Sequence, residues 1–287
     1  MKRMQSRRRV RGLSLIEVLI SMAIGLVVIG AVIVSYLGSG RAGRYQSAYS
    51  QMDQDAQIGL NVLSRELQIA GYSQPSSLTQ NAAAQLVMNY NIGAATAVFG
   101  CDTGFTDPRA ATLVCDTGAG TIPAIEVVYE ADVKNTVPNS TGTPTDCLGN
   151  GLAGAAPFIV HNRYFVQIGP SGRPELYCGS VGTVNSVQPL LENVESMKLW
   201  YGVQVATNPR QVVRYVTATD INGVGATEWA NVISVRVCLL MRSADPVLSA
   251  EDTRTYLDCD STTQTSSDNY LRRAYFTTTA LRSKMAF

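Results

Sequence analysis

One carboxylate stands where hydrocarbon is expected. From Leu13 to Leu37 the chain runs 25 residues with Glu17 as the only formal charge. About 20 apolar residues suffice to cross a bilayer as a helix. A charged group inside such a helix costs about 2.5–3.5 kcal/mol on insertion scales, so it is paired, functional, or snorkelled to the interface. The chemistry open to Glu17 is therefore ion pairing near a membrane edge.

The six cysteines offer a second chemistry. Cys101, Cys115, Cys147, Cys178, Cys238 and Cys259 all follow the apolar run, and none forms C-x-x-C. An even count fits an oxidising compartment, although six cysteines allow 15 pairings. The sequential pairs Cys101–Cys115, Cys147–Cys178 and Cys238–Cys259 close the shortest loops and are the expected ones. A bridge over the first loop contributes about 3 kcal/mol in the chain-entropy model.

Other chemistry has little material. His161 is the only histidine and sits in strand-like "PFIVHNRYFVQIG", so no histidine triad or cluster is available. "GNGLAG" (149–154) matches a dinucleotide-loop pattern but leads into strand-like sequence rather than a helix, which that loop requires. "DINGVGATE" (220–228) is loosely calcium-like through Asp220, Asn222 and Glu228, yet lacks the EF-hand spacing, and its Asn-Gly signals a hairpin turn. Trp200 and Trp229 are expected in core or interface. No metal, cofactor or direct nucleic-acid partner is expected.

The elements that position Glu17 begin with a basic block. Residues 1–12 carry six basic groups and no acid. Removing them from the 23 basic residues leaves 17 against 22 acidic ones, a net of −5 for the rest. Basic flanks stay in the cytoplasm by the positive-inside rule, which puts the cysteines on the other side. A cleaved secretory signal has an apolar core of only about 7–15 residues and a small-residue cleavage site; this run is longer and has no clean A-x-A after it.

Past Leu37, "GSGRAG" is a weak point for a helix. Then Tyr45, Tyr49, Met52, Ala56, Leu60, Leu63, Leu67 and Ala70 recur at steps of three and four, a helical stripe. Gly71 is the expected C-cap, and Pro75 bars continuation. A helix from Ser14 to Ala70 would have roughly 57 residues and span about 85 Å. Its packing face is Tyr45, Tyr49, Met52, Leu60, Leu63 and Leu67.

Residues 72–122 hold only four charged residues and predict a long, loop-dominated connection. Strands are predicted at 122–130, 157–169, 174–178, 194–205, 230–241 and 272–281. Met197, Leu199, Tyr201, Val203 and Val205 alternate onto one face, as do Ile233, Val235, Val237, Leu239 and Met241. Alternation means one buried face, as in an antiparallel sheet. Helix first and strands afterwards is an α+β order.

"RG–LSLIEVLISMAIGLVV" resembles the class III signal sequence of type IV pilins and pseudopilins. The resemblance implies a prepilin peptidase cut between Gly12 and Leu13, N-methylation of Leu13, and Glu17 as the fifth mature residue. The first mature residue of that family is more often Phe. The implied role of Glu17 is to pair with a neighbouring subunit's N-terminal amine and so set the stagger between subunits. Each charge offsets the other's desolvation, and removing one strands the other.

"DAQIGLNVLSRELQIAGYSQP", "VESMKLWYGVQV", "VISVRVCLLMRS" after Trp229, and the final "RRAYFTTTALRSKMAF" resemble PilW-type minor pilins. Residues 72–193 carry little of that signal. The resemblance implies a pilin-like fold in four parts: a cleaved leader (1–12), a transmembrane half-helix (13–37), an amphipathic half-helix (38–71) and a β-rich periplasmic domain (72–287). It implies an inner-membrane minor pilin, later at the pilus tip, supporting twitching motility and adhesion. Its partners would be other minor pilins, the major pilin, a tip adhesin, the prepilin peptidase and the inner-membrane assembly platform. Two alternatives stand beside it: a minor pseudopilin of type II secretion, and a membrane-anchored binding module or enzyme with a pilin-like anchor.

Overall fold

A computed structural model of the chain describes residues 12, 14–80, 86–90, 97–118, 122–181, 186–249 and 252–285. The chain divides into two compact units, Met1–Ser47 and Ala48–Phe287. Helix α1 (Leu15–Ile69) contributes to both.

In the first unit α1 opens on Ser14, whose carbonyl accepts from the Glu17 N–H at 3.0 Å and the Val18 N–H at 3.2 Å. Leu, Ile and Val dominate the run; Ile and Val are only moderate helix formers, so the helix rests on its unbroken length more than on propensity. The expected weak point at 38–43 stays helical. Each glycine costs about 1 kcal/mol against alanine, but a break would also forfeit the cooperative turns on either side.

In the second unit α1 buries Met52, Ala56, Gly59, Leu63 and Leu67 at steps of four, three, four and four. Burying each of the larger side chains is worth about 1.5–3 kcal/mol. Gly59 lets the helix sit close: a Cβ there would meet Leu191 Cδ2 at 2.7 Å and Leu239 Cδ1 at 3.1 Å. Gly71 ends the helix at φ +73°, and its N–H donates to the Val128 carbonyl at 2.7 Å. Ser283 Oγ donates to the Ala70 carbonyl at 2.6 Å, tying the C-terminal segment to the helix end.

The strands follow as β1 (Pro75–Gln80), β2 (Leu86–Tyr90), β3 (Val98–Cys101), β4 (Ala124–Ala131), β5 (Phe158–Ile168), β6 (Pro174–Ser180), β7 (Ser186–Glu192), β8 (Val194–Val203), β9 (Arg214–Val216), β10 (Val232–Arg242), β11 (Thr255–Leu257), β12 (Thr263–Thr265) and β13 (Arg272–Ala280). A short helix, α2 (Ala218–Val224), lies between β9 and β10. Among the described residues all strand pairings are antiparallel. One sheet runs β3-β4-β5-β6-β7 and a second runs β13-β10-β8-β9; β1-β2 and β11-β12 are separate pairs. A long helix followed by antiparallel sheets is the expected α+β arrangement.

The second sheet is in register at Val235↔Tyr201, Val237↔Leu199 and Leu239↔Met197. Those side chains, with Met241 and Val194, form one core with Met52, Leu63 and Leu67 of the helix and Val127, Tyr129, Val160 and Leu176 of the first sheet. The predicted faces of β8 and β10 meet in this core, except at Ile233, which is buried outside it beside the register shift at Val232–Ser234, and at Val205. That residue lies beyond the end of β8 and is 42% exposed.

Three expectations need correction. Residues 72–122 are mostly turn and irregular among the described residues, but they also hold strands without a predicted counterpart, of 6, 5 and 4 residues, with β1 paired to β2 and β3 to β4. These strands are short, and their stability comes from backbone pairing to partners, not from a local apolar period. Second, β10 is not buried on one face alone, since Cys238 and Leu240 are buried with Cys259 on its other side; β4 and β6 are likewise buried along their whole length. Phe105, Cys101, Ala124, Phe165 and Tyr177 form a second cluster on the far side. Third, "DINGVG" is helix, not hairpin. Thr217 caps α2 through a full capping box with Asp220, and that local hydrogen bonding overrides the Asn-Gly turn signal.

Strand β7 has no counterpart in the sequence reading. Pro189 within it argues against a central strand, and β7 is indeed at the sheet edge, where a missing N–H is tolerated.

Candidate assembly surface

Gly12 and Glu17 are exposed; Leu13 and residues 1–11 lie outside the described residues. Glu17 sits in the first turn of α1, where the positive end of the helix dipole favours an acid. Ser21 Oγ donates to the Glu17 carbonyl at 2.7 Å, which leaves the carboxylate free of that hydroxyl. Around it the apolar side chains face outward: Leu15 is 78% exposed, Leu26 71% and Val34 72%. Such a surface is stable only against lipid or other apolar helices. An acid in that surface can hold a cation supplied by a neighbour.

The expected packing face divides. Met52, Leu63 and Leu67 are buried, and Leu60 packs against the same core. Tyr49 is half-buried, and the Arg273 guanidinium lies 4.8 Å from its ring centre. Tyr45 falls in the first unit and is 43% exposed. The stripe continues in sequence, but burial stops where the second unit does.

Polar contacts lock the helix to both sheets. Asp53 accepts from the Tyr275 hydroxyl at 2.5 Å and faces Arg273 at 3.5 Å. Ser64 Oγ is 2.9 Å from Thr279 Oγ1. Glu66 accepts from Asn162 Nδ2 at 2.8 Å. Burial pushes the Glu66 carboxyl above its ordinary value, more than the Asn162 amide pulls it down. Burial and the Asp53 hydrogen bond push the Tyr275 phenol up. The sequence reading places Asp53 and Glu66 on the solvent side of the helix; the structure instead engages both with the sheets, through Tyr275 and Asn162. Their only signal is position: Glu66 lies between Leu63 and Leu67 at the edge of the stripe.

The six cysteines form Cys101–Cys115, Cys147–Cys178 and Cys238–Cys259, with Cα–Cα distances of 5.4, 6.5 and 5.8 Å. The first holds the 102–114 loop over the five-stranded sheet. Buried Arg163 pins the same loop, donating to the Pro108 carbonyl at 2.8 Å and the Ala110 carbonyl at 2.6 Å. Arg163 also pairs with Glu126 at 2.9 Å. Burial alone would raise the Glu126 carboxyl; His161 at 3.2 Å and Arg163 outweigh it, and the carboxyl is held below its ordinary value. His161 thus faces a structural ion pair. The third bridge covers the back of β10 with Leu240, flanked by Trp200. Trp229 is buried and packs edge-on against Tyr201 at 4.8 Å.

The loosely calcium-like residues are occupied by each other's neighbours. Asp220 accepts from Thr217, Asn222 accepts from Trp229 Nε1 at 2.9 Å, and Glu228 accepts from Asn231 at 3.0 Å. Among the described residues no group of three or more His, Cys, Asp or Glu side chains could hold a metal. A cleft of about 430 Å³ lies beside Arg65, Glu66, Tyr129 and Asp146. Asp146 accepts from the Leu148 and Asn150 N–H groups at 2.8 and 2.9 Å, and so serves its own turn.

Comparison with known proteins places both ends of the chain. Residues 7–33 match the prokaryotic N-terminal methylation motif. Residues 163–283 match the family described as type IV pilus-assembly protein W. No curated protein matches the sequence. Among solved structures, the type IV-like pilin TTHA1219 from Thermus thermophilus is similar over 81% of this chain and 96% of that one, at 10% identity and a TM-score of 0.37.

Proposed function

From the premise that this chain is a type IV pilin-like protein of the PilW type, carrying that family's region and the methylation motif, we propose that it is a minor pilin of the complex that primes pilus assembly. Residues 1–12 form the cytoplasmic leader, and prepilin peptidase cuts after Gly12. Methylated Leu13 becomes the mature N-terminus. Residues 13–37 cross the inner membrane, 38–71 continue as the amphipathic half-helix, and 72–287 form the periplasmic domain. Glu17 pairs with the N-terminal amine of a neighbouring subunit. Other minor pilins, the major pilin and a tip adhesin are its partners in the filament, and the assembly platform receives it in the membrane. Twitching motility and adhesion depend on it through piliation. Its role is structural, as in the matched families.

One observation carries this reading. A single helix bears an outward apolar surface with one acid in its first turn, and farther on a stripe that seats a disulfide-bonded domain. A buried ion pair broken on one side is strongly destabilising, by about 3–5 kcal/mol. Surface pili and twitching are therefore expected to be lost on deletion, restored by the native chain, and not restored by Glu17→Ala. Normal piliation in the deletion strain would overturn the role.

A further inference from the structure

A second feature of α1 lies beyond the processing site and the subunit-pairing acid. Arg41 and Arg44 follow the apolar run, and both are exposed. Between residues 13 and 52 the only acid is Glu17, far back along the helix. At 100° per residue, Arg41, Arg44 and Tyr45 share an arc of about 100° on one side of the helix. Tyr36, 78% exposed, precedes them.

Their axial spacing matches a bilayer. At 1.5 Å per residue, Tyr36 lies about 32 Å beyond Leu15, Arg41 about 39 Å and Arg44 about 44 Å. The hydrocarbon layer is about 30 Å thick and the bilayer with headgroups about 40–45 Å. Helical side chains lean toward the N-terminus, here back toward the membrane. Tyrosine is enriched at membrane–water interfaces, and long arginine side chains near a helix end reach the interface.

We infer that Arg41 and Arg44 bind the phosphate groups of anionic lipids in the outer leaflet of the membrane that α1 crosses, fixing the depth of the helix before assembly. This rests on the membrane-anchored reading above. The occupant is lipid because the charge is complementary and the site continues the membrane-facing surface. Each arginine near an anionic leaflet strengthens attachment about fivefold.

The test uses the full chain with Ser39→Cys carrying a nitroxide, since the six native cysteines are all bridged. The protein is reconstituted in vesicles of phosphatidylglycerol with phosphatidylethanolamine, and in phosphatidylcholine alone. Label depth is read from collisions with oxygen and with a nickel chelate. Replacing both arginines with glutamine is expected to shift the label by about 3 Å, two residues of helix, in the anionic vesicles only. Lysine at both positions should keep the native depth. Unchanged depth in anionic vesicles, or an equal shift in phosphatidylcholine, would overturn the inference while leaving the anchor intact. Protein washed off by alkaline carbonate would overturn the anchored reading itself, and the inference with it.

Discussion

The Glu66 carboxylate accepts from the Asn162 side-chain amide at 2.8 Å, joining helix α1 to the middle strand of the five-stranded sheet. Asn162 also donates to the Tyr129 hydroxyl at 3.2 Å and accepts from the Cys147 N–H at 3.0 Å. One amide thus gathers the helix, β4, β5 and the second disulfide. The contact is polar but mostly withdrawn from water, which makes it sensitive to protonation.

The sign follows from the raised carboxyl. Above the ordinary value of 4.5 the unfolded chain releases this proton while the folded chain retains it. Glu66 therefore contributes most to stability in acid, and that contribution is lost as pH rises through its raised value. Glu66→Gln should flatten the fall in thermal midpoint as pH rises above 4.5. The midpoint there should be at or above that of the native chain. A variant with the native pH slope would assign the slope to other groups.

Gly100 tests the close approach of the two sheets. A Cβ there would overlap the Tyr201 hydroxyl and stand 3.2 Å from Trp229 Cη2. Tyr201 is fully buried and has no room to retreat. Gly100→Ala should cost about 1–3 kcal/mol, as overpacking does. Denaturant unfolding of the full chain in detergent, followed by tryptophan fluorescence, would measure it. An unchanged midpoint would mean that the sheets part more easily than their packing implies.

The Cys101–Cys115 bridge makes a different prediction. Replacing both residues with serine opens a loop of 14 residues and should cost about 3 kcal/mol. Arg163 still grips Pro108 and Ala110, so the loop should loosen first at its 111–118 end. Limited proteolysis should cut there before elsewhere. Cleavage first in the β10–β13 half would show that the bridge stabilises more than its own loop.

Much of this architecture is visible in the residues, and the exceptions have physical causes. The α1 stripe is legible because Met52, Leu63 and Leu67 keep the helical period on a surface that one partner covers. β8 and β10 are legible because one of their faces meets the shared core. The burial of the other face is not legible: Cys259 and Leu240 cover it in β10, and Phe105 and the first disulfide cover it in β4 and β6. The hairpin signal at Asn222-Gly223 fails against the Thr217–Asp220 capping box, two local hydrogen bonds against one turn preference. Tyr45 keeps the period but is exposed, since periodicity states which residues share a face and not what covers it. The pairs Glu66–Asn162, Asp53–Tyr275 and Glu126–Arg163 join residues 96, 222 and 37 positions apart, and no spacing rule reaches that far.

The central claim is that Glu17 works in a processed helix, and it turns on where the mature chain begins. Mass spectrometry of the membrane fraction, with and without prepilin peptidase, would locate that residue. The account predicts a peptide starting at methylated Leu13, absent when the peptidase is absent. A start at Met1, or a cut beyond Val34, would leave no amine at Leu13 for a neighbour's Glu17 to meet, and would contradict it.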